Sequence, residues 1–351
     1  MSLLKPREVL RITGLRVHYP TDKGIVRAVR GVDLTVHEGE IVGLVGESGC
    51  GKSATLLATM RLLPYPGRIA GGRVILNGQD ILSLSDADMR SLRGSVMSMV
   101  FQDPMSTLNP AHKIGAQIKE ALAVHGKWNY RDRKSGREAL AALLAEVGIP
   151  SPETVIDQYP HQLSGGMQQR VMIAIALACR PALILADEPT TALDVTIEAQ
   201  ILDLLRKINK ENGTAIVLVT HNLAVASQFC HRIAVMYAGQ IVEEGPVREV
   251  LSAPLHPYTQ GLLECIPKFD KSIRLNPIPG HVPDLIGQKT GCSFYGRCEH
   301  KTRGCLDPNR QELLPVGGGR GVRCWRWTSV VAREGTGEEE EQELAVDSDR
   351  D

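Results

Sequence analysis

Aromatic side chains are scarce, at 4% of 351 residues, which leaves few of the stacking platforms that single-stranded nucleic acid needs. Long apolar runs are missing too. The longest candidate, Val171 to Ala186, is broken by Arg180 and Pro181, so no membrane-spanning helix is expected, and the amino terminus lacks the apolar core of a signal peptide. Cytoplasm is therefore the expected compartment. Net charge is absent as well, with 40 basic and 40 acidic residues, but the balance is uneven along the chain. Residues 334 to 351 hold nine of the acidic and one of the basic residues, so what precedes them carries 39 against 31, or +8. With Glu338 to Glu341 in a row and little to bury, residues 329–351 are expected to be a disordered acidic tail. The remaining composition, 43% hydrophobic and 23% charged, is that of a soluble globular protein with room for one large domain and an appendage.

Apolar periodicity alternates between strand-like and helix-like runs. Ile41 to Val45 reads as a strand ending at Gly46, and Leu56, Leu57, Met60 and Leu63 then mark one face of a helix stopped by Pro64. Leu140, Leu143, Leu144 and Val147 fall at helical spacing before Gly148, and Ile114, Ile118 and Leu122 repeat every four residues, so residues 112 to 150 should be mostly helical. Leu183 to Ala186 and Ala215 to Val219 read as buried strands around an amphipathic helix from Ile197 to Ile208. Such alternation predicts an α/β protein with a parallel sheet covered by helices.

Three motifs sit on that frame. Gly46-Glu47-Ser48-Gly49-Cys50-Gly51-Lys52-Ser53 fits the phosphate-binding loop G-x-x-x-x-G-K-[ST], and it lies where such a loop belongs, between a strand and a helix. Its glycines let successive N–H groups turn inward to phosphate oxygens, Lys52 can reach the β- and γ-phosphates, and Ser53 can ligate Mg²⁺. A second motif, Leu183-Ile184-Leu185-Ala186-Asp187-Glu188, lies 135 residues beyond Lys52 and delivers two carboxylates from a strand end. Asp187 suits Mg²⁺ and Glu188 suits the attacking water. The third, Leu163-Ser164-Gly165-Gly166-Met167-Gln168-Gln169-Arg170, opens a helix and offers another phosphate-binding terminus.

With these three motifs the chain resembles the ATP-binding cassette (ABC) ATPases of ABC transporters, whose L-S-G-G-Q signature it matches except for Met167. The resemblance implies a P-loop, RecA-like core with an antiparallel β-subdomain and an α-helical subdomain, at about residues 103–165, within a nucleotide-binding domain spanning 1–250. It implies ATP and Mg²⁺ held by Gly46, Ser48, Gly49, Cys50, Gly51, Lys52, Ser53 and Ala54. It further matches Tyr19 to the aromatic that stacks on adenine and Gln102 to the Mg²⁺- and water-sensing loop. Asp194, in Ala192-Leu193-Asp194, matches the dimer-crossing loop, and His221 matches the γ-phosphate switch. In that family Ser164, Gly165 and Gly166 complete the partner's site, so ATP is sandwiched in a dimer. With Glu188 and His221 both present, this chain's own P-loop site should hydrolyse ATP. The helical subdomain would dock on a membrane-spanning partner.

Past residue 250 regular periodicity fades. His256-Pro257-Tyr258-Thr259, Pro277-Ile278-Pro279-Gly280 and Pro283-Asp284-Leu285 resemble the C-terminal extension of ATPases from the oligopeptide, dipeptide and nickel importer group. The implied function is ATP hydrolysis powering dipeptide or oligopeptide uptake. The implied partners are a related second ATPase, two transmembrane permease subunits and an extracytoplasmic peptide-binding protein, without nucleic acid, at the cytoplasmic face of the inner or plasma membrane. A nickel or other small-solute importer of the same group is the alternative, and a soluble ABC ATPase acting on nucleic acid is a more distant one.

Four of the eight cysteines crowd into 33 residues of the extension (251–328), as Cys292-x5-Cys298-x6-Cys305-x18-Cys324. These spacings lack paired C-x2-C knuckles, and four thiolates on irregular loops suit a 4Fe-4S cluster, as does the resemblance; zinc and no metal at all stay open. Cys50 and Cys179 need no catalytic role. If Cys50 were exposed, its oxidation would block ATP. His256 and Tyr258 are expected to pack against the ATPase body.

Overall fold

The computed structural model describes residues 7–128, 133–191, 193–265, 277–286 and 291–327. The acidic tail expected from 329 onward lies outside them. Twelve strands are present among the described residues: β1 (Glu8–Thr21), β2 (Gly24–His37), β3 (Ile41–Val45), β4 (Arg68–Leu76), β5 (Gln79–Asp80), β6 (Met97–Val100), β7 (Leu183–Asp187), β8 (Ala215–Thr220), β9 (Arg232–Tyr237), β10 (Gln240–Pro246), β11 (Leu314–Pro315) and β12 (Gly321–Val322). They form two sheets, ordered β2-β1-β4-β5 and β11-β12-β10-β9-β3-β8-β7-β6.

In the larger sheet β9, β3, β8, β7 and β6 run parallel. Both faces of these strands are covered, which is why they read as unbroken apolar runs. Side chains alternate faces at the two-residue period of a strand. Ile41, Val45, Ile184 and Ala186 thus enter a core shared with the helices, whereas Val42, Leu44, Leu183 and Leu185 enter one shared with the antiparallel sheet. The helices Ile114–Val124, Arg133–Glu146 and Gly165–Leu177 pack on the first side, where Ile114, Ile118, Leu144 and Val147 are fully buried.

The helix after the phosphate loop ends earlier than its apolar spacing indicated, at Thr59 rather than Leu63. Arg61 adopts a left-handed conformation (φ 51°) and the Leu62 N–H bonds back to the Leu57 carbonyl at 2.8 Å, which terminates the helix as a Schellman-type turn. Arg93 then caps the carbonyls of Met60 (2.9 Å) and Arg61 (3.0 Å) from a distant loop. Leu63 still packs against the core, from outside the helix.

The C-terminal extension holds an eight-residue helix, Pro257–Glu264, followed by short 3₁₀ turns, and β11 and β12 add it to the main sheet beside β10. Glu243 of β10 anchors this junction while fully buried, accepting from the N–H groups of Leu255 and His256 and from Arg320, all at 2.9 Å. Glu243→Ala would strand Arg320 without its carboxylate, so folding stability should fall by about 3–5 kcal/mol. Denaturant unfolding measures this, and an unchanged midpoint would refute the anchoring role.

Candidate nucleotide site

The carboxyl ends of the parallel strands bring the motifs to one edge, where open α/β sheets bind ligands. Cα register pairs Val45 with Thr220, Asp187 with Val219, and Val100 with Ala186. Gly46, His221, Glu188 and Gln102 therefore leave four neighbouring strands at one level. The loop from Gly46 needs glycine at position 51, where φ is 107° and an added Cβ would lie 2.3 Å from the Ala28 carbonyl oxygen. Lys52 is buried and donates to the carbonyls of Gly46 (2.7 Å) and Glu47 (3.0 Å), with a longer contact to Cys50 Sγ at 3.9 Å, a weak acceptor that a phosphate oxygen would displace.

Ser53 donates to Asp187 Oδ1 at 2.9 Å, placing a hydroxyl and a carboxylate side by side. These hard oxygen donors fit Mg²⁺. Burial pushes the Asp187 carboxyl above the usual carboxylate range; the Ser53 bond pulls it back, Glu188 raises it further and Lys52 opposes. Glu188 takes φ of 44°, unusual for a residue with a side chain, and its N–H bonds to Val219 O at 3.0 Å. Its Oε2 meets Gln102 Nε2 at 3.3 Å, Thr191 Oγ1 at 2.9 Å and His221 Nδ1 at 3.3 Å. Three side chains from three loops thus orient one carboxylate oxygen. Thr191 was not singled out in the sequence, although its place three residues after Glu188 in the same turn is the signal that would have found it.

Ser164 caps the helix Gly165–Leu177, accepting from Met167 N at 3.4 Å, and Asp194 caps Val195–Asn212, accepting from Ile197 N at 2.9 Å. Both termini open on a shallow cleft with Gly165, Gly166 and Arg170, and no phosphate-loop residue lines it. Buried Gln168 holds the signature turn by donating to the carbonyls of Pro160 (2.8 Å) and Leu163 (3.2 Å). Tyr19 lies half-buried on β1, so close to Gly67 that a Cβ there would meet its ring at 2.4 Å. Ser48 and Gly49 are exposed at the loop's tip, and Ala54 is half-buried in the helix after it.

Cys50 is 1% exposed, and burial raises its thiol's pKa. Exposure to oxidant, the condition for blocking ATP through this thiol, is thus not met. His256 caps the helix Pro257–Glu264 and is buried, with its pKa driven down to about 3 by burial, so it packs rather than binds. Tyr258 packs against Tyr237 and Phe294 with its ring tilted to both.

No disulfide joins any of the eight cysteines. Cys292, Cys298, Cys305 and Cys324 line one small cavity with His256, Phe294 and Trp325. Burial pushes the Cys292 thiol up to about 11. The expected metal is not drawn by this geometry, because among the described residues no three His, Cys, Asp or Glu side chains are placed to hold a metal ion. No helix among the described residues is long and apolar enough to cross a membrane.

Residues 29–191 match the family model for ABC transporters, and residues 242–305 match that for the oligopeptide/dipeptide transporter C-terminal region. The chain is 48% identical over 318 residues to the dipeptide transport ATP-binding protein DppD of Escherichia coli, covering 90% of this chain and 96% of that one. It is 46% identical over 300 residues to the Bacillus subtilis protein of the same name, covering 85% and 89%. Among solved structures, the dimeric ATP-binding cassette MJ0796 in a post-hydrolysis state with ADP and Pi superposes with a TM-score of 0.61 at 31% identity, covering 68% of this chain and 99% of that one.

Proposed function

The chain belongs to the ABC transporter family and is an ATPase of that kind, and from this premise we propose that it powers uptake of dipeptides or oligopeptides through a membrane importer. The observation that carries the catalytic part is the cage around Glu188, set beside the Ser53–Asp187 pair. Glu188 accepts the proton of the attacking water, and His221 and Gln102 aim its carboxylate toward the γ-phosphate side. Lys52 and the loop N–H groups hold the β- and γ-phosphates, and Tyr19 supports the adenine. Ser53 and Asp187, with Gln102, would hold Mg²⁺, which would supply charge neutralisation to the phosphates when bound.

The lining of the signature cleft by Ser164, Gly165, Gly166 and Asp194, apart from the phosphate loop, supports a role for these residues in the site of a second, related ATPase subunit. Next to Gln102, a groove of about 430 Å³ lined by Phe101, Leu108, Gln117 and Met172 supports docking of a permease helix. ATP closure acting on Gln102 would then reach the permease directly. On this reading the chain works on the cytoplasmic face of the membrane, attached through two permease subunits and served from outside by a peptide-binding protein. Affinity purification of the tagged chain from solubilised membranes should recover both permeases and a second ATPase. Recovery of the chain alone, or with nucleic acid, would refute the assignment.

The shared cavity of Cys292, Cys298, Cys305 and Cys324 and their spacing on irregular loops are what support a 4Fe-4S cluster; among the described residues no three such side chains are already placed to hold a metal ion. Arg326 beside Cys298 and Cys324 would offset its charge. Anaerobically purified protein should carry about four irons and sulfides per chain, lost in Cys298→Ser. Zinc, or no metal, in the wild type would overturn this cofactor.

A further inference from the structure

Glu47, the first variable residue of the phosphate loop, is gripped from two sides by the C-terminal extension. Its N–H donates to Tyr258 Oη at 3.0 Å, and its Oε2 accepts from Arg297 Nη1 at 3.1 Å. Neither partner is free to move. Tyr258 is fully buried, tilted against Tyr237 with ring centroids 4.5 Å apart. The Arg297 side chain is 8% exposed and is fixed by the carbonyls of Pro279 (2.9 Å) and Ile278 (3.3 Å). Glu47 in turn passes its position to the catalytic lysine, because its carbonyl is one of the two that hold Lys52 Nζ.

We propose that Tyr258 and Arg297 are positioning residues for ATP binding, which act through Glu47 to hold the phosphate loop in its receptive shape. A loop with glycines at 46, 49 and 51 has much backbone freedom to lose when it wraps a phosphate. Ordering it beforehand removes part of that cost from the binding step. The clamp touches neither Glu188 nor its cage, so its effect falls on ATP affinity and not on the chemical step. It also gives the extension a role at the nucleotide site: the segments that carry Tyr258 and Arg297 are those that flank His256 and Cys298 at the thiol-lined cavity.

The inference rests on the reading of residues 46–53 as the nucleotide loop. ATP titration and steady-state ATPase kinetics on the intact purified protein test it, with thermal melts alongside. Tyr258→Phe removes one hydroxyl and keeps the ring packing; it should raise the Kd and KM for ATP about 3- to 10-fold, with kcat within about twofold. Arg297→Ala should raise them more than about tenfold, and Arg297→Lys should recover part of the loss. Glu47→Ala should match Arg297→Ala, and the double variant should be no worse than either, since both remove one interaction. Should Arg297→Ala melt early, Tyr258→Phe and Glu47→Ala decide the matter with the core packing intact. Unchanged KM in these variants, or a fall in kcat alone, would overturn the clamp. Wild-type protein that binds no ATP would instead overturn the nucleotide reading itself.

Discussion

Glu188→Gln is expected to lower ATP turnover by about 10²–10⁴-fold while leaving ATP affinity nearly unchanged. The amide keeps the shape of the side chain and still accepts a hydrogen bond, so Thr191, Gln102 and His221 retain a partner. What it loses is the capacity to take a proton from water. Because the left-handed backbone at Glu188 aims the side chain independently of its charge, no rearrangement should restore turnover. With the second ATPase subunit proposed above, ATP should then persist between the two, and the nucleotide-bound dimer should accumulate on size-exclusion chromatography. Turnover equal to wild type would remove Glu188 from the chemistry.

Lys52→Ala should act on the other half of the catalytic cycle, weakening ATP binding by about 10- to 100-fold, because a charged donor to the phosphates is worth about 1.5–3 kcal/mol. In the structure this ammonium is already buried and oriented by the carbonyls of Gly46 and Glu47, so little ordering remains to be done when phosphate arrives. Its loss also leaves those two carbonyls pointing into the site, where they repel phosphate oxygens. Equilibrium titration with ATP reads the effect, and an unchanged Kd would contradict the assignment. The contrast between the two variants matters more than either alone: Glu188→Gln should spare ATP affinity, and Lys52→Ala should not.

Much of this site was legible because it depends on local order along the chain. A buried strand, a glycine loop and a helix occur in that sequence at residues 41–59, and a second buried strand ends in Asp187-Glu188. Parallel strands then carry both to the same sheet edge, so the Ser53–Asp187 contact follows from topology. What escaped was set by contacts between distant segments. Tyr258 lies 211 residues from Glu47 and Arg297 lies 250 away, and nothing in their spacing announces that they meet. The early helix end at Thr59 belongs to the same class, since Arg93 caps it from a separate loop. The two 14-residue strands β1 and β2 of the smaller sheet were implied by family resemblance and not by periodicity. Their register shifts between Ile12 and Leu15 and between Val17 and His18 break the simple alternation that would have revealed them. The four cysteines show the limit from the other direction: their clustering in sequence foretold a shared cavity, but not the geometry of a ligand set.

The most direct test of the account is uptake of a radiolabelled dipeptide by cells from which this chain has been deleted, complemented with wild type or with Glu188→Gln at equal expression. The account predicts that deletion abolishes energised uptake, that wild type restores it, and that Glu188→Gln assembles with the permeases without restoring it. Uptake that survives deletion, or that Glu188→Gln supports as well as wild type, would contradict the claim that ATP hydrolysis at this site drives peptide import.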